Sequence, residues 1–367
     1  MSQDSVDVAI VGSGPAGVTA AISLLNLMPQ AKISILEAQS ETTWKHGETL
    51  SPAATPVLAS LGCWNALQRK LVGGMGRESF GTIAAWGQQA LQANDFLFSM
   101  HGNGWQLDRA AFDRWLLEHA IERGAVLHRG AVLTESGALN GGGWWLKCGE
   151  RTMQARFVID ASGRRAAFAR QRGSRVLVAD QLTAMFVLWE GASPSSTMIE
   201  AAEDGWWYST SVPGDVTVSA WMTDADLLRG SGGLDPETWQ KKLANSVHTK
   251  TRLDGARAIM PPRVFAAQSQ RLDSMGGAAW VACGDAAMTF DPLSSHGITK
   301  ALRGGKLASF VATDFLLKKR ESHERYEQIL HEEYAQYLQT RREFYREEQR
   351  WPASPFWARR HTDATSK

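Results

Sequence analysis

The chain has little cysteine. Cys63, Cys148 and Cys283 are odd in number, far apart and without a CxxC pair, so neither a disulfide framework nor a zinc site is expected, and no metal is. No HExxH, no GxSxG and no carboxylate pair at useful spacing occurs, which leaves a metal-activated water or a serine nucleophile without its usual residues. No run approaches the roughly 20 apolar residues that cross a bilayer. The start, Met1-Ser2-Gln3-Asp4-Ser5, lacks a basic stretch before its apolar run, so no signal sequence or membrane role is read and a cytoplasmic location is expected. Net charge is lacking too: a formal +1 gives no long-range attraction for nucleic acid. With 367 residues, 44% of them hydrophobic, the chain can bury a large core in two or three folded units.

What is present sits at the two ends. Near the start, the apolar run Val6-Asp7-Val8-Ala9-Ile10-Val11 leads into Gly12-Ser13-Gly14-Pro15-Ala16-Gly17 and a helical stretch over 16–27. That is the strand, turn and helix of a dinucleotide site. Gly12 permits the turn, Gly14 lets the backbone approach a pyrophosphate, Gly17 lets helix pack on strand, and the helix that starts at Pro15 and Ala16 presents the free N–H groups that follow the proline to that anion. A second strand over 32–36 ends at Glu37, twenty residues after Gly17, where a carboxylate accepts ribose hydroxyls.

Near the end, a buried strand over 278–283 runs into Gly284-Asp285, placed for a ribityl or pyrophosphate contact. Asp291-Pro292-Leu293-Ser294-Ser295-His296-Gly297-Ile298 then turns into a helix over 298–317, whose N-terminus suits the pyrimidine edge of a reduced flavin. Pro292, Gly297 and Ile298 are cofactor candidates. His296 either reaches the isoalloxazine as a catalytic group or caps the helix. Glu48 either contacts flavin or caps a helix starting near Pro52. Arg109 follows the N-cap candidate Asp108 and either binds FAD or is solvated.

Between the ends, strand-like alternation over 177–270 marks a substrate-facing sheet. Trp206, Trp207 and Tyr208 alternate on one of its strands, so one face is core even if the other lines a cleft. From Lys318 to Arg350 eight basic residues balance eight acidic ones while Tyr326, Leu330, Tyr334 and Tyr337 recur at helical spacing, a solvated helix with one docking stripe. The expected fold is α/β: a Rossmann-type FAD-binding domain over 1–76, 101–176 and 271–320, an inserted sheet domain over 77–100 and 177–270, and a C-terminal helix and tail over 321–367.

GSGPAG, Glu37, Gly47-Glu48-Thr49, LDRAAFD, DASGR and GDAAMTFDPLSSHGI, in this order, resemble the aromatic-hydroxylase-like FAD enzymes, a superfamily that includes hydroxylases and tryptophan halogenases. Halogenases resemble one another in a lysine between the GE-x-T segment and the DR-x-x-FD helix, and in a Trp-x-Trp-x-Ile-Pro motif. This chain has no lysine over 71–110 and has Trp206-Trp207-Tyr208 at a different spacing. The DPLSSHGI phrase and the Arg350-Trp351-Pro352 ending are similar to the LodB-like flavoproteins that mature quinoprotein amino-acid oxidases. That resemblance implies non-covalent FAD, a quinoprotein oxidase precursor as partner, and oxygen from O2 inserted into a tryptophan ring during cysteine tryptophylquinone formation. The alternatives left open are a hydroxylase of a free small aromatic, a halogenase and a flavin-binding chaperone. A second complete GxGxxG is missing at Gly230-Ser231-Gly232-Gly233, so NAD(P)H or another reductant is expected to bind transiently.

Overall fold

The structure is a computed structural model that describes residues 4–40, 48–96, 99–192, 194, 196–233, 235–319 and 322–362. Gly47 of the GE-x-T segment and the tail beyond 362 lie outside the described residues.

The strand Asp4–Val11 is central in a sheet of eight strands, pairing in parallel with Ile33–Glu37 on one side and Arg151–Asp160 on the other. Val126–Arg129 and Trp280–Ala282 extend the parallel set outward. Val8, Ala9 and Ile10 are fully buried, as a continuous apolar run must be when a parallel strand is covered on both faces. This is the Rossmann-type layer expected from the first motif.

The first helix, Pro15–Leu27, and the helix Gly297–Leu316 come from opposite ends of the chain and pack side by side. Small residues make that approach possible. A Cβ on Gly305 would stand 2.1 Å from the Ala16 carbonyl oxygen, and one on Gly284 would stand 2.6 Å from the Ala16 Cβ. Both motifs therefore open on the same space.

A second sheet of eight strands carries Leu182–Glu190, Val216–Asp224, Gly205–Val212 and Thr197–Ala202 in antiparallel order, then Gly81–Ala85 and Gln92–Asp95. Its inner and outer faces are both covered, which is why nearly every residue of Gly205–Val212 is buried. The long C-terminal helix, His323–Glu347, buries Tyr326, Leu330, Tyr334 and Tyr337, the stripe visible in the sequence.

Beyond that helix, Phe356 and Trp357 are fully buried against the second sheet. Trp357 Nε1 donates to the Ala202 carbonyl at 2.9 Å, and the Arg360 guanidinium forms a bidentate bond with buried Asp224 at 2.7 and 3.1 Å. The solvated segment expected from its charge balance is thus anchored at its far end, because aromatic and arginine side chains there cover a sheet face. Gly232 and Gly233 take positive φ in the turn that follows the helix Ala225–Gly230, so this glycine cluster closes a helix.

Candidate functional site

A cavity of about 550 Å³ lies where the two sheets meet. Gly14, Pro15 and Ala16 line it from the first motif, and Asp285, Pro292, His296, Gly297 and Ile298 from the second. Glu48, Arg109 and Tyr208 complete the expected residues that it gathers. Two helix N-termini, one beginning at Pro15 and one at Gly297, face the same space, giving it two partial positive charges.

Other expected residues act behind the wall. Gly12 has φ +107° and a Cβ there would stand 2.3 Å from the Ala161 carbonyl oxygen, so it makes the turn that only glycine fits. A Cβ on Gly17 would stand 2.2 Å from the Gly12 carbonyl oxygen, which is the helix-on-strand contact. Gly284, at φ +61°, is buried against Ala16. The Glu37 carboxylate accepts from the Ser13 N–H at 3.0 Å, from the Ser13 hydroxyl and from the Gln39 N–H at 2.8 Å, tying the strand end to the glycine turn.

Glu48 is buried, and its carbonyl accepts from the Leu107 N–H at 2.8 Å. The short helix at Pro52 has Ser51 at its N-cap, so Glu48 does not cap it. Asp108 caps the helix Arg109–Glu122 by accepting from the Ala111 N–H at 3.0 Å. Arg109 is held by an ion pair with buried Asp113 at 3.3 Å and is not solvated. His296 stands at the N-cap of the Gly297–Leu316 helix without making a side-chain cap bond. It keeps an exposed edge, while the atoms crowded around its ring and then the Arg303 charge draw its pKa below the usual imidazole value.

Trp206 and Trp207 do not reach the cavity. Trp206 is 0% exposed and donates from Nε1 to the Tyr345 hydroxyl at 3.0 Å, beneath the C-terminal helix. Trp207, on the opposite face of the strand, packs against Trp221 and Trp239 with ring centres 5.0 and 4.9 Å away. Alternation placed them on two faces, but both faces are covered at that point. Only Tyr208 comes to the cavity, where its hydroxyl meets the Thr49 hydroxyl at 3.3 Å. Burial and the nearby Glu48 charge raise its pKa above the usual phenol value.

The second sheet supplies an apolar wall of Ala184, Phe186, Met222 and Phe265 that no sequence motif marked. Arg164, from the DASGR turn, also lines the cavity and donates to the Gln268 carbonyl at 2.8 Å. Behind the loop, Asp291 is a hub. Its carboxylate accepts from the Leu293 N–H at 2.9 Å, the Tyr345 hydroxyl at 2.9 Å and Arg341 Nε at 3.2 Å, and its N–H donates to the Tyr337 hydroxyl at 2.7 Å. Burial works against the Arg341 charge, but Asp291 and Asp180 outweigh it and hold that guanidinium above its ordinary pKa. The three cysteines are buried and free, and burial pushes the Cys148 thiol up to about 11. Among the described residues no group of His, Cys, Asp and Glu is placed to hold a metal ion, and no helix is long and apolar enough to cross a membrane.

Comparison with known proteins agrees with this geometry. The chain is 28% identical over 374 residues to the putative FAD-dependent oxidoreductase LodB of Marinomonas mediterranea, covering 98% of this chain and 97% of that one. It superposes on the flavin-dependent halogenase CmlS with a TM-score of 0.86 at 25% identity, covering 100% of this chain and 69% of that one. The peptidyl tryptophan dihydroxylase QhpG, essential for tryptophylquinone cofactor biogenesis, shares the fold with a TM-score of 0.76 at 21% identity over 99% of this chain and 80% of its own. A family model described as tryptophan halogenase matches residues 63–367. The chain is therefore an FAD-dependent oxidoreductase of the tryptophan halogenase family.

Proposed function

We propose that this flavoprotein hydroxylates a tryptophan in a partner oxidase precursor, as a step in making a cysteine tryptophylquinone cofactor. The observation that carries this reading is the full-length likeness to LodB, combined with a cavity in which no side chain over 71–110 supplies an amine. The fold-level likeness to a peptidyl tryptophan dihydroxylase supports it.

The cavity residues fit FAD. Gly14 offers open space, since a Cβ there would find no atom within 4 Å, and the helix N-terminus behind it suits the pyrophosphate. Gly14, Pro15, Ala16 and Arg109 would hold the pyrophosphate, with Glu37 releasing Ser13 to take the ribose. Asp285 would take the ribityl chain, and Pro292, Gly297 and Ile298 the pyrimidine edge. Gly12, Gly17 and Gly284 shape the backbone that carries these contacts. Bound FAD, once reduced, supplies oxygen activation from O2. The chain's own part is to exclude water and hold an electron-rich ring. The wall of Phe186, Met222, Tyr208 and Phe265 suits an indole, which would stack on it without a protein nucleophile. His296 at the mouth is the candidate proton carrier. The electrons come from NAD(P)H bound transiently or from another reductant.

Stopped-flow reduction and oxygen consumption test the substrate class. The purified FAD protein should turn over faster with the oxidase precursor than with free tryptophan or small phenols. Rapid turnover with a free aromatic and none with the precursor would replace this reading with a small-molecule hydroxylase. Halogenation is the second reading, favoured by the family match and the likeness to CmlS. It predicts a product whose mass depends on chloride or bromide.

A further inference from the structure

The cavity does hold one lysine, from outside 71–110 and on the other motif. Lys300 sits in the first turn of the Gly297–Leu316 helix and lines the cavity, yet its side chain is only 4% exposed. Its ammonium donates to Asp285 Oδ1 at 2.8 Å and to the Met288 carbonyl, and lies 5.0 Å from the centre of the Phe290 ring.

This is an expensive place for a cation. The first turn of a helix already carries the positive end of the backbone dipole, so a lysine there works against the local field, and this turn holds no acidic residue to offset it. Burying an ammonium adds a desolvation cost that an apolar side chain of similar size would not incur. Its counter-charge, Asp285, is in direct contact but half in solvent: the Asp285 side chain is 48% exposed, so the ammonium is the member of the pair that has lost its water. A local conflict of this kind is what a functional site retains. The ammonium lines the cavity beside the helix N-terminus, which adds a partial positive charge there.

We propose that Lys300 is an electrostatic residue of the flavin site: its buried ammonium favours the anionic reduced flavin, with Asp285 as the opposing charge that sets the size of the effect. Two-electron reduction with uptake of one proton leaves a negative charge on the pyrimidine side of the ring, and NAD(P)H or a chemical reductant supplies the hydride or electrons. The inference rests on FAD binding in this cavity and not on the identity of the substrate.

Sulfite tests it without turnover, because sulfite donates its electron pair to oxidised flavin and leaves the same negative charge on the ring. With FAD saturating, Lys300→Met should weaken the sulfite adduct about tenfold and lower the two-electron midpoint potential by the equivalent, about 30 mV. Lys300→Arg should restore most of the affinity. Asp285→Asn should shift both readouts the opposite way, tighter sulfite and a higher potential, even where it loosens FAD. A purely structural brace between the two side chains predicts that both variants lose FAD affinity with no such opposition in sign. Unchanged sulfite affinity and potential in FAD-loaded Lys300→Met, or shifts of the same sign in both variants, would overturn the proposal. Should Lys300→Met not hold FAD, Asp285→Asn decides alone, and a potential that stays level or falls overturns it. No arm of this experiment uses a tryptophan substrate, so its outcome is separate from that of the hydroxylation reading.

Discussion

Gly14→Val separates cofactor binding from folding more cleanly than any other change in the glycine turn. Gly14 has φ −71° and ψ 174°, an extended conformation open to any residue, and a Cβ on it meets no atom within 4 Å. Gly12 and Gly17 differ: side chains there would collide with backbone oxygen at 2.3 and 2.2 Å, so their variants would fail for reasons of folding. At Gly14, which lines the cavity, the added Cβ meets open space. Gly14 is the N-cap of the first helix, where an aliphatic residue is worse than glycine, so the apo protein should lose no more than about 1 kcal/mol. The pyrophosphate would be pushed off the first-helix N-terminus, losing about two charge-assisted hydrogen bonds of ~1.5–3 kcal/mol each, or ~3–6 kcal/mol. That amounts to about two to four orders of magnitude in affinity. Thermal unfolding of the apo form and a titration of flavin fluorescence measure the two quantities independently. A folded Gly14→Val protein that keeps stoichiometric, wild-type FAD binding would refute the placement of the pyrophosphate at this helix.

Three further outcomes follow from the same geometry. Asp285→Ala should weaken FAD by about 1–3 kcal/mol, the scale of one charge-assisted hydrogen bond, and an unchanged affinity with lost turnover would make Asp285 catalytic. Gly305→Ala places a Cβ 2.1 Å from the Ala16 carbonyl oxygen. It should cost about 1–3 kcal/mol of stability as the two motif-bearing helices separate, read by denaturant unfolding with FAD release as a second signal. Asp291→Ala leaves the Arg341 guanidinium buried with Asp180 as its remaining acid among the described residues and should destabilise by about 3–5 kcal/mol in thermal unfolding. A loss below about 1 kcal/mol would mean that the C-terminal helix does not brace the loop through this residue.

The two cofactor motifs were legible because glycine and acid spacing reports local backbone geometry, and the turn at Gly12 and the cap at Asp108 need only their neighbours in sequence. The stripe of Tyr326, Leu330, Tyr334 and Tyr337 was legible for a similar reason: helical spacing states which face is buried. The fate of Trp206 and Trp207 was not. Alternation gives faces but not what covers them, and here a distant helix covers one while Trp221 and Trp239 cover the other. Lys300 was hidden inside a helix pattern, where a single lysine reads as solvated. Gly304 and Gly305 did carry a signal, since adjacent glycines inside a helix weaken it by about 1 kcal/mol each and mark a close backbone approach. The Arg350-Trp351-Pro352 ending reads as a signature, and much of it is packing: Trp357 lies 5.4 Å from Trp86 and closes the second sheet.

Hydroxylation of the partner would be written in the mass of the precursor. The oxidase precursor is produced with this chain, without it, and with the Gly14→Val variant, then digested and read by mass spectrometry. Oxygen added to one tryptophan only in the presence of the FAD-binding protein, and labelled by isotopic O2, is the predicted result. An identical precursor in all three, or a gain in mass that requires chloride or bromide, would contradict it.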